Sequence, residues 1–412
     1  MADPGLTLGL DLGTSGVRAV VLDPAGGIRA AADRAITAAD RNDPNAVLAA
    51  VLAVLEAAVR GCGGPVSRLC VAGTSGTLLA LDAHGGAVGP ISLYSDTAAA
   101  PAQARAAAVG AGPVAARALE ALARPGVVRL AFEPDWILGH LAGHPVPADL
   151  NSALKAGADP LAACWSGPVR ALGLAAVLPD LAQPGASLAR AGAGPVAGAM
   201  LHAGTTDGCA AALAAGLAQT GDAVTILGST LVLKVLSDVP VTSAKHGVYS
   251  HRLLGRWLVG GASNAGGAVL RQFFTDDEAA RLGGQVDPQR PTGLGYVPLT
   301  RPGERFPIAD PELSPVTGPR PASDVVFLQG LLEALVAVER RGYRTLAALG
   351  APEPRRLIAQ GGGRHNPGWM ALRAAQLPWP QATARFQDTA AGAALLAMAG
   401  FQRGIGAWGH SA

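Results

Sequence analysis

The sequence predicts an α/β protein with two domains, and three observations support this fold class. The chain has 412 residues, more than the roughly 100 to 200 residues of one ordinary domain. A strand–turn–strand pattern rich in glycine and hydroxyl residues occurs once in each half, and a later strand leads through three glycines into a helix. We expect the chain to divide near residues 198–203, where Gly, Pro and Ala are frequent, into domains of residues 1–203 and 204–412.

The composition favours a compact soluble protein that binds small molecules. Hydrophobic residues make up 50% of the chain and charged residues 15%, and the formal net charge is +2. No cluster of Lys and Arg is dense enough to predict a nucleic-acid or anionic-membrane partner. The N-terminus lacks the pattern of a signal peptide, and the most apolar run, from Val47, is interrupted by Glu56. We therefore expect a cytoplasmic location, whereas the composition predicts no particular oligomeric state.

The cysteines predict neither a disulfide framework nor a zinc site. They show no CxxC spacing and have no histidines at metal-ligand distances along the chain. We expect reduced and mostly buried thiols at Cys62, Cys70, Cys164 and Cys209.

The first motif is GLDLGTSGVRAVVLD, which spans residues 9–23. Alternating leucines up to Leu12 predict a strand with one buried face and with Asp11 on the other face. A second strand begins at Val17, so a hairpin is expected. The turn residues between the strands are Gly13, Thr14, Ser15 and Gly16.

Such a turn is suited to holding phosphate. Glycine lets the backbone approach a ligand closely, and turn amides and hydroxyls donate hydrogen bonds to phosphate oxygens. Asp11 would then face the cation that accompanies the phosphates. A tight hairpin without a ligand explains this stretch alone equally well.

Two other nucleotide-binding motifs fit the sequence less well. A dinucleotide fingerprint needs a helix after its glycines, whereas a strand follows here. A Walker A loop needs a lysine after a glycine, and none of Lys155, Lys234 and Lys245 follows one.

The second half repeats the hairpin and adds a candidate acid or base. GDAVTILGSTLVLKVLSD, residues 221–238, again places turn residues between two strands, and two facing hairpins would clamp phosphates. Asp207 precedes an Ala-rich helix, where Thr205 or Thr206 could cap and the helix dipole would favour an anionic carboxylate. Asp207 could also be an ordinary first-turn acid. The turn residues of this second hairpin are Gly228, Ser229 and Thr230.

The stretch RRLIAQGGGRHNPGWM predicts a strand, a loop at Gly361 to Gly363, and a helix with Pro367 close to its start. A base or ribose could lie flat against these glycines. An ordinary glycine-rich turn between a strand and a helix is the alternative.

The order of these motifs resembles the FGGY carbohydrate kinases of the actin-like ATPase superfamily. GLDLGTSGVRAVVLD is similar to the family's first phosphate motif and LGST to its second. GGASNAGGAVLRQF and GERFP resemble its middle signatures, and GGGRHN with DTAAGAALLAMAG resembles its adenosine region. The resemblance implies two actin-like (ribonuclease H-like) ATPase domains, each with a mixed β-sheet flanked by helices. It also implies a cleft between them that binds sugar and ATP.

The resemblance implies roles for individual residues. Asp207 corresponds to the catalytic base, which takes the proton of the attacking sugar hydroxyl. Asp11 would orient Mg²⁺ through water and also reach the sugar. The residues implied at ATP are Gly13, Thr14, Ser15, Gly228, Ser229, Thr230, Gly266, Gly362, Gly363, Asn366 and Trp369.

Departures from the commoner family pattern bear on the substrate. The chain keeps Asp96 in LYSDTAA but lacks the Trp and Arg that accompany this acid in many members. Together with Ser75 in GTSGT and the short chain, this resembles a compact xylulokinase-like group of D-ribulose kinases. We expect D-ribulose to be the substrate, with D-xylulose second. Ser75 contacts sugar or caps a turn, and a catalytically silent sugar sensor with the same fold remains an alternative.

Overall fold

The computed structural model describes residues 5–403. Strands and helices alternate along the chain, as the α/β prediction requires. The strands of the first half are β1 (Leu6–Leu12), β2 (Gly16–Leu22), β3 (Ile28–Ala35), β4 (Val66–Gly73), β5 (Leu78–Leu81), β6 (Arg129–Phe132), β7 (Ala148–Asp149), β8 (Ala158–Asp159), β9 (Cys164–Trp165), β10 (Leu181–Ala182), β11 (Ser187–Arg190) and β12 (Met200–Thr206). The later strands are β13 (Asp222–Leu227), β14 (Leu231–Ser237), β15 (Tyr249–Leu253), β16 (Arg256–Ala262), β17 (Arg356–Gln360) and β18 (Gln381–Ala382).

The α-helices cover the sheets and connect their strands. They are α1 (Pro44–Gly61), α2 (Ala100–Ala107), α3 (Pro113–Leu122), α4 (Glu133–Ala142), α5 (Leu150–Ala153), α6 (Gly167–Ala171), α7 (Asp207–Ala215), α8 (Asp276–Gly283), α9 (Asp324–Ala348), α10 (Pro367–Gln376) and α11 (Thr389–Arg403).

The two large sheets share a topology. The first has the order β11-β12-β4-β1-β2-β3 and the second β15-β16-β14-β13-β17-β18. In the first, β1 pairs antiparallel with β2 and parallel with β4. In the second, β13 pairs antiparallel with β14 and parallel with β17. Both sheets are mixed, and both predicted hairpins are confirmed.

The chain forms two compact units whose composition differs from the predicted domains. One unit contains residues 1–214, 251–255 and 388–412, and the other contains residues 215–250 and 256–387. The predicted division after residue 203 therefore differs in three respects. The helix that follows β12 stays with the first unit, residues 251–255 also belong to it, and the chain returns to the first unit at Asp388.

The physical reason for this return is the packing of α11 on β1. A Cβ atom built on Gly9 would lie 1.9 Å from the carbonyl oxygen of Ala390 and 2.4 Å from the amide nitrogen of Ala394. Only a glycine lets the helix backbone come this close to the strand. This contact joins the end of the chain to its first strand, which local sequence patterns do not reveal.

The burial of β1 corrects one expectation. Alternation predicted a strand with a single buried face, but Thr7 is 1% exposed and Asp11 is 5% exposed, like the leucines between them. β1 lies inside the sheet between β4 and β2, and α11 packs against it at Gly9. A central strand covered on both faces leaves no exposed side for polar residues.

Helix α1 illustrates how local sequence sets an element. The Asp43 carboxylate accepts a hydrogen bond from the Asn45 amide at 2.9 Å, and Pro44 takes the first helical position. Val51 and Leu55 are buried in the core of the first sheet. Within residues 5–403 this one helix is long and apolar enough to cross a membrane, but core helices of soluble proteins meet the same criterion.

The cysteines agree with the prediction of reduced thiols. The four side chains are thiols outside any disulfide, and Cys62, Cys70 and Cys209 are buried while Cys164 is exposed.

Candidate active site

The first phosphate turn connects β1 to β2 in the first unit. The Gly13 amide donates to the Gly16 carbonyl at 2.9 Å, which closes the turn. Thr14 and Ser15 are exposed at its tip. The Ser15 carbonyl accepts a hydrogen bond from the Ile36 amide at 3.0 Å, so the turn is held from β3 as well. Two hydroxyl side chains are thus presented to solvent on a braced backbone.

Asp11 is a buried carboxylate beside this turn. Its Oδ1 atom is buried with no hydrogen-bond partner among the described residues, and its Oδ2 atom lies 3.7 Å from Nη1 of Arg18. Burial raises the pKa of Asp11, the negative charges of Asp207 and Asp388 raise it further, and Arg18 lowers it. The resulting pKa is about 7. Asp11 is therefore poised to change charge when a cation or a proton arrives.

Asp207 is the first residue of α7, as the sequence predicted, and it is exposed. Its Oδ1 atom accepts a hydrogen bond from the Gly208 amide at 2.6 Å. Of the two possible capping threonines, Thr206 is the one whose hydroxyl accepts from the Cys209 amide, at 3.4 Å. The carboxylate thus lies at the positive end of the helix dipole.

Sheet register explains why Asp11 and Asp207 interact. Asp11 on β1 and Thr205 on β12 both pair with Ala72 of β4, and all three strands are parallel. The carboxyl ends of parallel strands meet at one edge of a sheet, where ligands bind in open α/β folds. The charge of Asp207 consequently contributes to the raised pKa of Asp11.

Asp388 is a third acid in this region, and the sequence reasoning missed it. It precedes α11, and its Oδ1 atom accepts a hydrogen bond from the Ala390 amide at 2.9 Å. The docking of α11 on Gly9 brings it near Asp11, whose pKa it raises. An Asp immediately before an Ala-rich run predicts a helix cap, but nothing local predicts which strand the helix covers.

The residues around Asp11 fit a hydrated Mg²⁺ ion. In the part of the chain that the structure describes, no group of three His, Cys, Asp or Glu side chains is arranged to hold a metal directly. Mg²⁺ usually keeps several waters and binds through one or two carboxylates plus substrate phosphates. The unpartnered Oδ1 atom of Asp11 and the neighbouring acidic charges supply the acceptor and the negative potential for such an ion.

Ser75 lies in the loop that follows β4. It is buried, and its hydroxyl lies 3.4 Å from the Ser152 carbonyl, to which it donates. Asn151 of the same helix α5 was not assigned from the sequence, yet its Nδ2 atom donates to Thr205 Oγ1 at 2.9 Å and to the Arg252 carbonyl at 2.7 Å. The hydroxyl of Ser75 therefore links its loop to helix α5 within the first unit.

Asp96, the acid shared with the commoner family pattern, is exposed. Its Oδ2 atom accepts a hydrogen bond from the Leu93 amide at 2.7 Å, so it closes a local turn.

The second phosphate turn lies between β13 and β14 in the second unit. The Gly228 amide donates to the Thr230 carbonyl at 3.2 Å. Gly266 packs against this turn so closely that an added Cβ would lie 2.5 Å from the Ser229 carbonyl oxygen. The Gly267 amide donates to the Gly228 carbonyl at 2.8 Å. Backbone contacts therefore set the shape of the turn.

Two further side chains support the second turn. Arg271 donates from Nη2 to Ser229 Oγ at 2.6 Å and places a cation beside the turn. The Glu304 carboxylate accepts from the Ser263 hydroxyl and from the Asn264 amide, each at 2.6 Å, and so anchors the segment that leads to Gly266. The sequence reasoning quoted both stretches as family signatures but assigned no role to either residue.

The triple glycine has the predicted context of strand, loop and helix. Gly361 has a φ of 85°, a left-handed conformation that glycine adopts without strain. A Cβ built on Gly362 would meet no atom within 4 Å, whereas a Cβ on Gly363 would lie 2.6 Å from the Trp369 ring. A side chain added at Gly362 would therefore have space, whereas Gly363 packs against the Trp369 ring.

Asn366 and Trp369 have structural contacts in this unit. Asn366 caps α10 by accepting from the Trp369 amide at 3.0 Å, and its Nδ2 atom donates to the Ala279 carbonyl at 2.8 Å. Trp369 is 1% exposed. Its ring therefore supports the glycine loop from the core side and is not on the surface beside it.

The predicted site residues belong to two units. The first unit brings together Asp11, Asp207, Ser75 and the first turn, and the second unit holds the second turn, Gly266 and the triple glycine.

Several solved structures of sugar kinases have a similar fold. A xyloylose kinase from Brucella ovis has a TM-score of 0.82 at 23% identity, covering 96% of this chain and 91% of that chain. A xylulose kinase from Bifidobacterium adolescentis has a TM-score of 0.79 at 21% identity, covering 97% and 94%. A glycerol kinase from Plasmodium falciparum with ADP has a TM-score of 0.82 at 13% identity, covering 97% and 90%. At these identities the likeness establishes the fold alone, a mixed α/β architecture with two large sheets.

One known protein family matches part of the chain. Residues 223–401 match the C-terminal domain of the FGGY family of carbohydrate kinases. The match agrees with the family resemblance of the motifs that lie within these residues.

The raised pKa of Asp11 predicts a pH-dependent stability. Between its unfolded pKa near 3.8 and its folded pKa of about 7, the folded protein binds one more proton at Asp11 than the unfolded chain does. The free energy of unfolding therefore falls as pH rises through this window. Without Mg²⁺ or nucleotide, Asp11→Asn should melt at a higher temperature than the wild type at about pH 8, and the difference should vanish near pH 4.

The measurement is thermal unfolding followed by circular dichroism across this pH range. Asp33→Asn is the matched control, because it removes one negative charge at an exposed position of β3 and should show no such pH-dependent gain. An Asp11→Asn variant whose stability relative to the wild type is the same at both pH values would contradict the prediction.

Proposed function

We propose that the protein is an ATP-dependent kinase that phosphorylates a free ketopentose, D-ribulose to D-ribulose 5-phosphate. The observation that carries this proposal is the pairing of Asp11 and Asp207 at one edge of a parallel β-sheet, beside a turn that exposes two hydroxyls. Asp11 is buried and its pKa is raised, whereas Asp207 is exposed at a helix N-terminus. Two acids in such different environments are suited to different roles.

Asp207 acts as the general base. A terminal hydroxyl of the sugar attacks the γ-phosphorus of ATP, a bond forms between that oxygen and phosphorus, and the bond from phosphorus to the β,γ-bridging oxygen breaks. The hydroxyl proton passes to the Asp207 carboxylate, and ADP leaves. Phosphoryl transfer needs mainly alignment and charge neutralisation, so an exposed carboxylate at a fixed helix start is well suited to this step.

Each turn offers phosphate-binding groups within its own unit. In the first unit these are the backbone and the hydroxyls of Thr14 and Ser15, and in the second they are those of Ser229 and Thr230. Arg271, which contacts Ser229, adds positive charge where a Walker A protein would use a lysine. When bound, Mg²⁺ neutralises phosphate charge, and Asp11 would hold it through water.

The choice of sugar rests on the motifs around Ser75 and Asp96. Ser75 is buried near the carboxyl edge of β4, and Asp96 is retained without the aromatic and cationic residues of the commoner pattern. This combination favours D-ribulose, with D-xylulose as the second candidate. The xylulose kinase name of a structural neighbour supports a ketopentose in general.

A substrate panel tests the proposed specificity. ADP formation is measured with D-ribulose, D-xylulose, pentitols and glycerol, and we expect the highest kcat/KM with D-ribulose. Turnover that is best with glycerol would contradict the ketopentose assignment and leave a kinase of another specificity. A silent sugar sensor would bind a sugar but release no ADP with any member of the panel.

Replacing the proposed base tests the mechanism. Asp207→Asn keeps the shape of the side chain and the start of α7 but removes the proton acceptor, so kcat should fall by roughly 10²- to 10⁴-fold while ATP affinity changes little. Asp324→Asn is the matched control, because Asp324 is likewise the first residue of a helix. An Asp207→Asn protein that folds normally and turns over at near the wild-type rate would remove Asp207 from the mechanism.

The open space at Gly362 tests the proposed adenosine site. Because an added Cβ meets no protein atom within 4 Å, Gly362→Val should fold normally but crowd an adenine lying on the loop. We expect the KM for ATP to rise much more than the KM for the sugar.

Gly167→Val is the matched control for Gly362→Val, since Gly167 is equally open and lies at the start of α6. Steady-state kinetics with each substrate varied in turn give the comparison. A Gly362→Val variant that raises only the sugar KM would place the adenine elsewhere.

A further inference from the structure

Arg41 is a buried cation that contacts the first phosphate turn. It lies between β3 and α1 and is 3% exposed. Its Nε atom donates to the Gly13 carbonyl at 3.1 Å. Its Nη1 and Nη2 atoms donate to the two carboxylate oxygens of Glu133 at 2.7 Å and 2.8 Å. One guanidinium thus joins the turn to the first residue of α4.

Such a pair is poorly explained by stability alone. Taking two charges out of water costs several kcal/mol per ion, and apolar residues of similar volume are often as stable. Burial raises the pKa of Glu133, and the hydrogen bonds and charge of Arg41 oppose that rise. The pair instead fixes the orientation of Arg41. A bidentate arginine–carboxylate contact sets the guanidinium plane, and the plane sets the direction in which the third donor, Nε, points.

The Nε donor of Arg41 binds a carbonyl of the first phosphate turn, whose backbone would face the phosphates. The Gly13 carbonyl is held by Arg41, and the Ser15 carbonyl is held by the Ile36 amide at 3.0 Å. Thr14 lies between these two fixed peptide groups and is exposed. The orientation of its amide and hydroxyl therefore depends on Arg41 at one end and on β3 at the other.

The other end of the pair reaches the loop that carries Ser75. The Glu133 amide donates to the Thr77 carbonyl at 3.3 Å, and the Thr77 amide donates to the Thr74 carbonyl at 3.3 Å. A continuous series of hydrogen bonds thus runs from the Gly13 carbonyl through Arg41 and Glu133 to the Thr74–Thr77 loop.

We propose that Arg41, oriented by Glu133, is a positioning residue that sets the first phosphate turn for ATP and ties it to the Ser75 loop. This inference rests on the proposed kinase function. In this proposal Arg41 contacts neither ATP nor the sugar, so it affects the reaction only through its hydrogen bond to the Gly13 carbonyl. Loss of the Nε contact should lower kcat/KM for ATP and leave the sugar KM within about two-fold, because the bond to Thr77 comes from the Glu133 backbone.

The decisive variant removes both charges together. Arg41→Met alone leaves the Glu133 carboxylate buried and unpaired, and this variant can fail to fold. The double variant Arg41→Met with Glu133→Met leaves no buried charge and should keep a melting temperature close to that of the wild type. It still lacks the donor to Gly13, so kcat/KM for ATP should fall by roughly 10- to 100-fold, the loss expected for one hydrogen bond from a charged donor.

Two further variants complete the experiment. Arg41→Lys keeps a cation opposite Glu133 but lacks the planar fork, and it should also lose kcat/KM for ATP. Arg373→Met with Glu339→Met is the matched control, since this pair is fully buried and bidentate at 2.8 Å and 2.8 Å in the core of the second unit. Its ATP kinetics should stay within about two-fold of the wild type.

Failure of the inference and failure of the proposed function can be told apart. Wild-type protein that binds Mg·ATP but phosphorylates no sugar would overturn the proposed function. The positioning role alone would be overturned if the wild type phosphorylates sugar and a folded variant keeps its kcat/KM for ATP. This applies both to the double variant and to Arg41→Lys. A loss of kcat/KM for ATP in both variants, or in the one that folds, with unchanged sugar KM, supports the positioning role.

Discussion

The parallel alignment of β1, β4 and β12 is the constraint on which the first unit depends. It brings Asp11 and Asp207 to one edge of the sheet although they are far apart in sequence. The approach of α11 at Gly9 covers β1 and adds Asp388. Burial and the negative charges of Asp207 and Asp388 disfavour the ionised form of Asp11, so its pKa rises to about 7. The same packing that stabilises the strand thus prepares a site that favours a cation.

The two phosphate turns are held by different means. In the second unit the turn at Gly228 is shaped by the close backbone approach of Gly266 and Gly267, with Arg271 on its exposed side. In the first unit the turn is shaped by the Arg41 guanidinium, whose orientation depends on Glu133. The sheet topology therefore does not determine how each turn is supported. The support comes from residues outside the hairpins.

The sequence predicted the parts of the site that depend on short stretches of chain. Both hairpins, the position of Asp207 at a helix start and the loop before Pro367 follow from turn residues, strand alternation and capping, which act over a few residues. Burial was harder to predict. Thr7 and Asp11 alternate with leucines as on an exposed face, yet both are buried because β1 is central. Trp369 was expected beside a ligand, but it packs beneath Gly363 in the core.

By itself, then, the sequence determined the α/β class, the two hairpins and the candidate acids, because hydrogen bonding and backbone conformation within a short segment suffice for these features. The tertiary structure alone decided that Asp388 returns to the first unit, that Arg41 reaches both Gly13 and Glu133, and that Arg271 reaches Ser229. Each of these contacts joins residues that are distant in the chain. They form only after the sheets assemble, since their partners are selected by packing and by the cost of leaving a buried charge unpaired.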